Sequence, residues 1–191
     1  GVPKKKKFKA VQIGGPSGGC LPESYLDSPI DYESLKSAGA MMGSGSLVVV
    51  DETTCMVDMA RFFLDFCTSE SCGKCPPCRV GTVLMLDILN RITQGEGKEE
   101  DLDILEKMSD EVRTMSLCGL GQSAPNPVKS TLRYFRDEYL AHIRDKECPT
   151  ASCVALHNYT VIPDQCTKYT LCIRNCTVDA ISGSRAAVAF I

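Results

Sequence analysis

An α+β fold is predicted for this chain, in three successive segments, and three observations predict it. Residues 1–50 hold short strand-like runs, Phe8-Lys9-Ala10-Val11-Gln12-Ile13 alternating and Leu47-Val48-Val49-Val50 wholly apolar. Residues 51–145 repeat apolar side chains every three or four positions, the period of an amphipathic helix. Residues 146–191 carry five of the 12 cysteines and little helical period.

The elements follow in order. After the first strand, Gly14-Gly15-Pro16-Ser17-Gly18-Gly19 is a loop by composition. It lacks the Lys-Ser/Thr of a phosphate-binding P-loop and is read as structural. Asp31 to Ala38 suits a short helix, and Gly39 to Ser46 is small and flexible. Asp51 or Thr54 is placed to cap a helix whose apolar positions are Met56, Met59, Phe63 and Cys67. A second helix is expected from Arg79, with Val80, Leu84, Ile88 and Ile92 on one face. A third carries Leu105, Met108, Val112 and Met115. Pro125 or Pro127 is expected to open the last, with Val128, Leu132, Phe135, Tyr139 and Ile143 aligned. Four such helices with short connections argue for a small bundle.

Composition limits the function. The 191 residues suffice for one domain or two small ones, and 43% apolar content supports a core. A net charge of -3 gives no reason to expect nucleic-acid binding. No apolar run approaches the roughly 20 residues of a membrane helix, so membrane insertion is not expected. Clustered cysteines without a secretory leader argue for metal ligation in a reducing compartment, cytoplasm or organelle matrix, over a disulfide framework. The chain starts at Gly1, not Met, and is expected to be a fragment. Lys4 to Lys7 reads as a solvated turn, and Ala186 to Ile191 as a foreign or truncated end.

Cys72, Cys75 and Cys78 stand in Glu-Ser-Cys-Gly-Lys-Cys-Pro-Pro-Cys-Arg, at Cys-x2-Cys-x2-Cys spacing, and Cys118 follows in Ser-Leu-Cys-Gly-Leu-Gly. One short loop can supply three corners of an iron–sulfur cubane and a remote thiolate the fourth. Four thiolates also suit zinc, although zinc sites more often pair two Cys-x2-Cys hooks. Cys148 and Cys153 can bind zinc with His142 or with His157, leaving a fourth ligand unassigned. Cys20, Cys55 and Cys67 have no ligand spacing and are read as buried small hydrophobes. Met41 and Met42 are read as packing residues.

These motifs, with the upstream VQIGGPSGG and DYESLKSAGAMMGSGSLVVVDETTCMVDMARFF, resemble the C-terminal part of the flavin- and NADH-binding subunit of the NADH-quinone oxidoreductase (complex I) family. The similarity is greatest to the beta subunits of soluble NAD-linked, electron-bifurcating iron hydrogenases. The resemblance implies a truncated SLBB-like β-grasp domain at 1–50, a four-helix [4Fe-4S] domain at 51–145 and a partial ferredoxin-like tail at 146–191. It implies that Cys72, Cys75, Cys78 and Cys118 ligate the cluster and that Gly119 and Leu120 lie near the flavin. FMN and NAD(H) belong to a domain that nothing here matches, so the fragment is expected to relay electrons without catalysing hydride transfer. The partners it implies are a thioredoxin-like [2Fe-2S] subunit and a hydrogenase or quinone-oxidoreductase subunit. In the tail, Cys166, Cys172 and Cys176 resemble a ferredoxin run in which Tyr169 replaces the second cysteine and Thr177 the proline. The competing readings are a zinc-stabilised structural or interaction module, and a truncated inactive product.

Overall fold

The computed structural model describes residue 2, residues 5–157 and residues 159–184. The expectations for Lys4 and for 186–191 fall outside them. The chain divides into two compact units, Gly1–Leu156 and His157–Ile191.

The first unit opens with a three-stranded antiparallel sheet of order β2-β1-β3, formed by β1 (Phe8–Ile13), β2 (Gly19–Pro22) and β3 (Leu47–Asp51). The register sets Val11 opposite both Leu21 and Val49. The glycine loop joins β1 to β2. Gly14 and Gly15 take φ of +93° and +74°, where a side chain would strain the backbone. The Ser17 carbonyl accepts a 3.1 Å bond from the Asn126 amide, which fits the structural reading of this loop. Helix α1 (Tyr32–Ser37) is capped by Asp31, whose carboxylate accepts the Ser34 N–H at 2.8 Å.

Helices α2 (Met56–Ser69), α3 (Pro76–Thr93) and α4 (Glu100–Met115) follow, then a short α5 (Gly119–Ser123) and α6 (Asn126–Tyr134). Helix α2 packs on α3 and α6, and α4 packs on the same two. Leu64, Met85, Leu89, Ile92, Leu105, Val128 and Leu132 fill the space between them. The sheet lies against α2 through Ala10, Cys20, Met56, Met59 and Phe63. It meets α6 at Cys20, whose N–H donates to Ser130 Oγ at 2.9 Å.

Three boundaries differ from the sequence expectation. The cap of α2 is neither Asp51 nor Thr54 but Cys55, whose sulfur accepts the Asp58 N–H at 3.5 Å. Helix α3 starts at Pro76, three residues before Arg79. Prolines at its first two positions lose no intrahelical bond and carry a preset φ. The last helix breaks at Phe135, giving α6, then α7 (Arg136–Leu140) and a π-helical turn at Ala141–Asp145. Phe135 has non-helical backbone, with ψ of +33°.

Helices α3 and α4 approach closely at Gly81. A Cβ there would stand 2.3 Å from Val112 Cγ2, which is β-branched and restricted in χ1. Substituting Gly81→Ala should therefore wedge the pair apart and lower stability by about 1–3 kcal/mol, the usual cost of overpacking. Urea unfolding followed by circular dichroism measures this, and an unchanged midpoint would contradict it.

Candidate metal centres

The first centre is built by the α2–α3 loop and the α4–α5 loop. Cys75 is the residue before α3, Cys78 lies in its first turn, and Cys118 precedes α5. The positive end of the 18-residue α3 favours thiolates at its start. The two loops meet. Hydrogen bonds from the backbone N–H of Leu117, then of Cys78, hold the Cys75 thiol below its usual range. Leu117 sits beside Cys118, so the remote ligand loop touches the local one. Ser71 Oγ lies 3.3 Å from Cys78 Sγ. A Cβ at Gly121 would fall 2.5 Å from Ser116 Oγ and 3.1 Å from Cys78 Cβ, so only glycine leaves room there.

Cys75 and Cys78 are buried, whereas Cys72 and Cys118 are exposed. The four do not belong to a set of donors drawn within 4.8 Å of one another, as one bare ion would need. A cubane needs a wider cage, because its own iron and sulfide separate the thiolates. The thiolate donor set, the convergence of the loops and the N–H groups aimed at sulfur all fit such a cluster. Cys67 is buried nearby on α2. Burial first, then the charge of Cys78, pushes its thiol up to about 11, which suits the inert role expected of it.

The second centre joins Cys55, His142, Cys148 and Cys153, whose donor atoms all lie within 4.8 Å of one another and are all buried. His142 Nε2 stands 3.4 Å from Cys55 Sγ and 3.3 Å from Cys153 Sγ, and the two sulfurs are 3.8 Å apart. With metal–sulfur bonds of about 2.3 Å and metal–nitrogen bonds of about 2.05 Å, an ideal tetrahedron needs S···S of roughly 3.8 Å and S···N of roughly 3.5 Å. The cage is thus sized for one tetrahedral ion. His142 sits in the π-helical turn. Its Nδ1–H donates to the Glu138 carbonyl at 2.7 Å, which fixes the tautomer and turns Nε2 toward the sulfurs. Glu138 also accepts the Met56 N–H at 3.0 Å and pairs with Lys9 at 2.6 Å, tying α7 to the start of α2 and to β1.

The thiols share their protons unequally. The hydrogen bond from Cys153, and after it the contact with His142, pulls Cys55 down to about 4, while Cys153 is pushed up. Burial works against a charged His142, but the bond to Cys55 and its charge carry the imidazole up to about 9. The cage therefore already favours a thiolate at Cys55.

The fourth donor of this set, left unassigned from the sequence, is Cys55, which the sequence reading assigned to simple burial. It is buried, but it also points into the cage. Cys20 fits the burial reading, with burial raising its thiol to about 12. His157, the alternative histidine, lies in the second unit, 3.3 Å from the Tyr159 hydroxyl. No local spacing could reveal Cys55, which stands 87 residues before His142. The one available sign was a cysteine at the expected start of α2.

In the second unit, Cys166 and Cys172 line a hollow of about 230 Å³ with Tyr169. Cys176 follows the short helix α8 (Leu171–Asn175). Backbone N–H groups, first that of Val178 and then that of Ala180, lower its thiol. Gly119 lies on a cleft of about 680 Å³, bordered by Met41, Met42, Arg113 and Gln122. Leu120 follows it in α5.

The helices and the two cysteine loops they bring together fit an iron–sulfur binding domain. Residues 58–142 match the family model of the NADH-ubiquinone oxidoreductase-F iron–sulfur binding region, and this segment is a domain of that kind. It is 52% identical over 185 residues to the NADP-reducing hydrogenase subunit HndC of Solidesulfovibrio fructosivorans, covering 97% of this chain and 38% of that protein. It is 44% identical over 149 residues to an NADH-quinone oxidoreductase subunit of Mycobacterium tuberculosis, covering 78% of this chain and 34% of that protein. Among solved structures, an NAD+-reducing [NiFe]-hydrogenase in the H2-reduced state superposes with a TM-score of 0.66 at 35% identity, over 73% of this chain and 24% of that one. The chain thus spans little more than a third of the length of these curated relatives. Among the described residues no helix is long and apolar enough to cross a membrane.

Burial separates the thiols of the metal-free chain. A neutral alkylating reagent should modify Cys72 and Cys118 at least several-fold faster than Cys78, Cys148 or Cys153. Peptide mass spectrometry over a time course reads this, and equal rates would show that the loops do not hold these positions.

Proposed function

We propose that this chain is the electron-relay part of an NADH-linked oxidoreductase subunit, with Cys72, Cys75, Cys78 and Cys118 as ligands of a [4Fe-4S] cluster. The observation that carries this is the close approach of the two ligand loops, where a Cβ at Gly121 would fall 2.5 Å from Ser116 Oγ and 3.1 Å from Cys78 Cβ. When bound, the cluster supplies one-electron redox chemistry. The chain supplies the cage and sets its surroundings. The start of α3 and the loop N–H groups stabilise negative charge on sulfur, Pro76 and Pro77 stiffen the loop, and Gly121 makes room for Ser116. Gly119 and Leu120 would lie toward the flavin, FMN and NAD(H) being held by the rest of the full-length subunit. The adjoining cleft supports that placement. Electrons would leave toward other subunits of a multi-subunit complex, a thioredoxin-like [2Fe-2S] subunit or a hydrogenase or quinone-oxidoreductase subunit, in the cytoplasm or an organelle matrix. The ferredoxin-like reading of Cys166, Cys172 and Cys176 is kept as a degenerate remnant, with Tyr169 in the place of a ligand.

The second centre favours a structural reading of its own. Cys55, His142, Cys148 and Cys153 would form a closed Cys3His zinc site that fastens the 148–153 loop to the start of α2. Zinc then stabilises the unit in which the cluster works, and the structural-module reading becomes a companion of the relay.

Two substitutions separate the centres. After anaerobic reconstitution with iron and sulfide, Cys75→Ser should lose the cluster, seen as loss of bound iron and of the reduced-state EPR signal, while zinc content is unchanged. Full iron content would refute the ligand assignment. Cys55→Ala should lose the zinc and keep the iron. Its melting temperature should fall by roughly 6–12 °C, for a loss of about 3 kcal/mol in a chain of this size. Zinc retained at one per chain would refute the second site.

A further inference from the structure

We infer that Ser71 and Ser116 are hydroxyl donors to the cluster's ligand sulfurs and that together they raise its reduction potential. This rests on the cluster assignment above. Three buried side-chain polar atoms among the described residues have no hydrogen-bond partner: Gln12 Oε1, Ser109 Oγ and Ser116 Oγ. Gln12 lies in β1 and Ser109 within α4, but Ser116 stands in the second ligand loop. Ser116 is only 4% exposed, so its hydroxyl is shielded from bulk water. Leaving such a hydroxyl unpaired costs about 1–3 kcal/mol, and an acceptor within the cage would remove that cost. The positions around it fit. A Cβ at Gly121 would touch both Ser116 Oγ, at 2.5 Å, and Cys78 Cβ, at 3.1 Å, so the hydroxyl and a ligand cysteine border the same small space.

Ser71 does the same from the first loop. Its Oγ accepts the Gly73 N–H at 3.3 Å, which leaves its proton free, and Cys78 Sγ lies 3.3 Å away. A ligated thiolate carries no proton, so this bond must run from the serine to the sulfur. One-electron reduction adds negative charge without a proton. A donor to sulfur stabilises the reduced state more than the oxidised one, and the potential rises.

The test is an EPR-monitored redox titration of the anaerobically reconstituted chain, with dithionite as reductant. Ser71→Ala and Ser116→Ala should each shift the midpoint to lower potential by a threefold to tenfold change in the equilibrium constant, about 28–59 mV for a one-electron couple. Ser71→Thr, which keeps the hydroxyl, should stay near the wild-type value. Ser123→Ala, whose hydroxyl bonds the Gly119 carbonyl, should not move it. Variants that hold full iron at the wild-type potential would overturn the inference. If Ser116→Ala folds but holds no cluster, its role is in assembly and its part of the inference fails, and Ser71 is then judged on its own shift. Wild-type chain without iron would defeat the cluster assignment instead.

Discussion

The rest of the structure depends on the antiparallel contact between α3 and α4. Three of the proposed cluster ligands lie at or just before the start of α3, and the fourth lies just past the end of α4, so the proposed centre requires those two ends to come together. Gly81 is one turn beyond Cys78, and Val112 is one turn before Ser116. Their close approach sets the spacing of the helices right beneath the loops. The buried face of α3 is fixed elsewhere by Met85, Leu89 and Ile92, which are fully buried. Hydrophobic packing therefore supplies the energy, and the single glycine supplies the distance.

The second centre works in the opposite sense. Its ligands come from the cap of α2, a π-helical turn and an irregular loop, none of which has much regular packing of its own. Glu138 couples them to the sheet through its carbonyl, its carboxylate and Lys9. A break before α7 and a π turn after it are costly choices for a plain helix, and π turns recur where function demands a particular side-chain direction. Here the turn directs Nε2 of His142 into the cage. The backbone irregularity and the metal geometry are one feature.

Much of the fold was legible because it is local. The alternating β1, the short helix after Asp31 and the existence of α2 to α4 are written in neighbouring residues, but the face expected for α3 is only half right, since Val80 and Leu84 are exposed while Met85 and Leu89 are buried. The three-cysteine loop was equally plain, since its ligands are two residues apart. What stayed hidden is what tertiary structure alone decides. The apolar pattern runs from Val128 to Ile143 without a sign of the break at Phe135. Cys55 looks like any small buried residue until the fold carries it to His142, Cys148 and Cys153. Ser116 reads as an ordinary loop serine, and only burial without a partner marks it out.

The two centres also differ in exposure, and the difference follows from what each must do. All four donors of the Cys55 centre are buried, as suits an ion that stabilises and never exchanges. A closed cage gains from exclusion of water, which would compete for the metal. The cluster ligands are divided, two buried and two exposed. In the proposed relay electrons must enter and leave, so one side of the cage would have to reach another redox group and would not be sealed within this chain. The buried side holds Cys75, Cys78 and Ser116, where hydrogen bonds act in a low dielectric and count most, with Ser71 half-buried at its edge. The open side holds Cys72 and Cys118, next to Leu117, which is 83% exposed. Under the proposed relay, a cage built in this way would set its potential on one face and exchange electrons on the other.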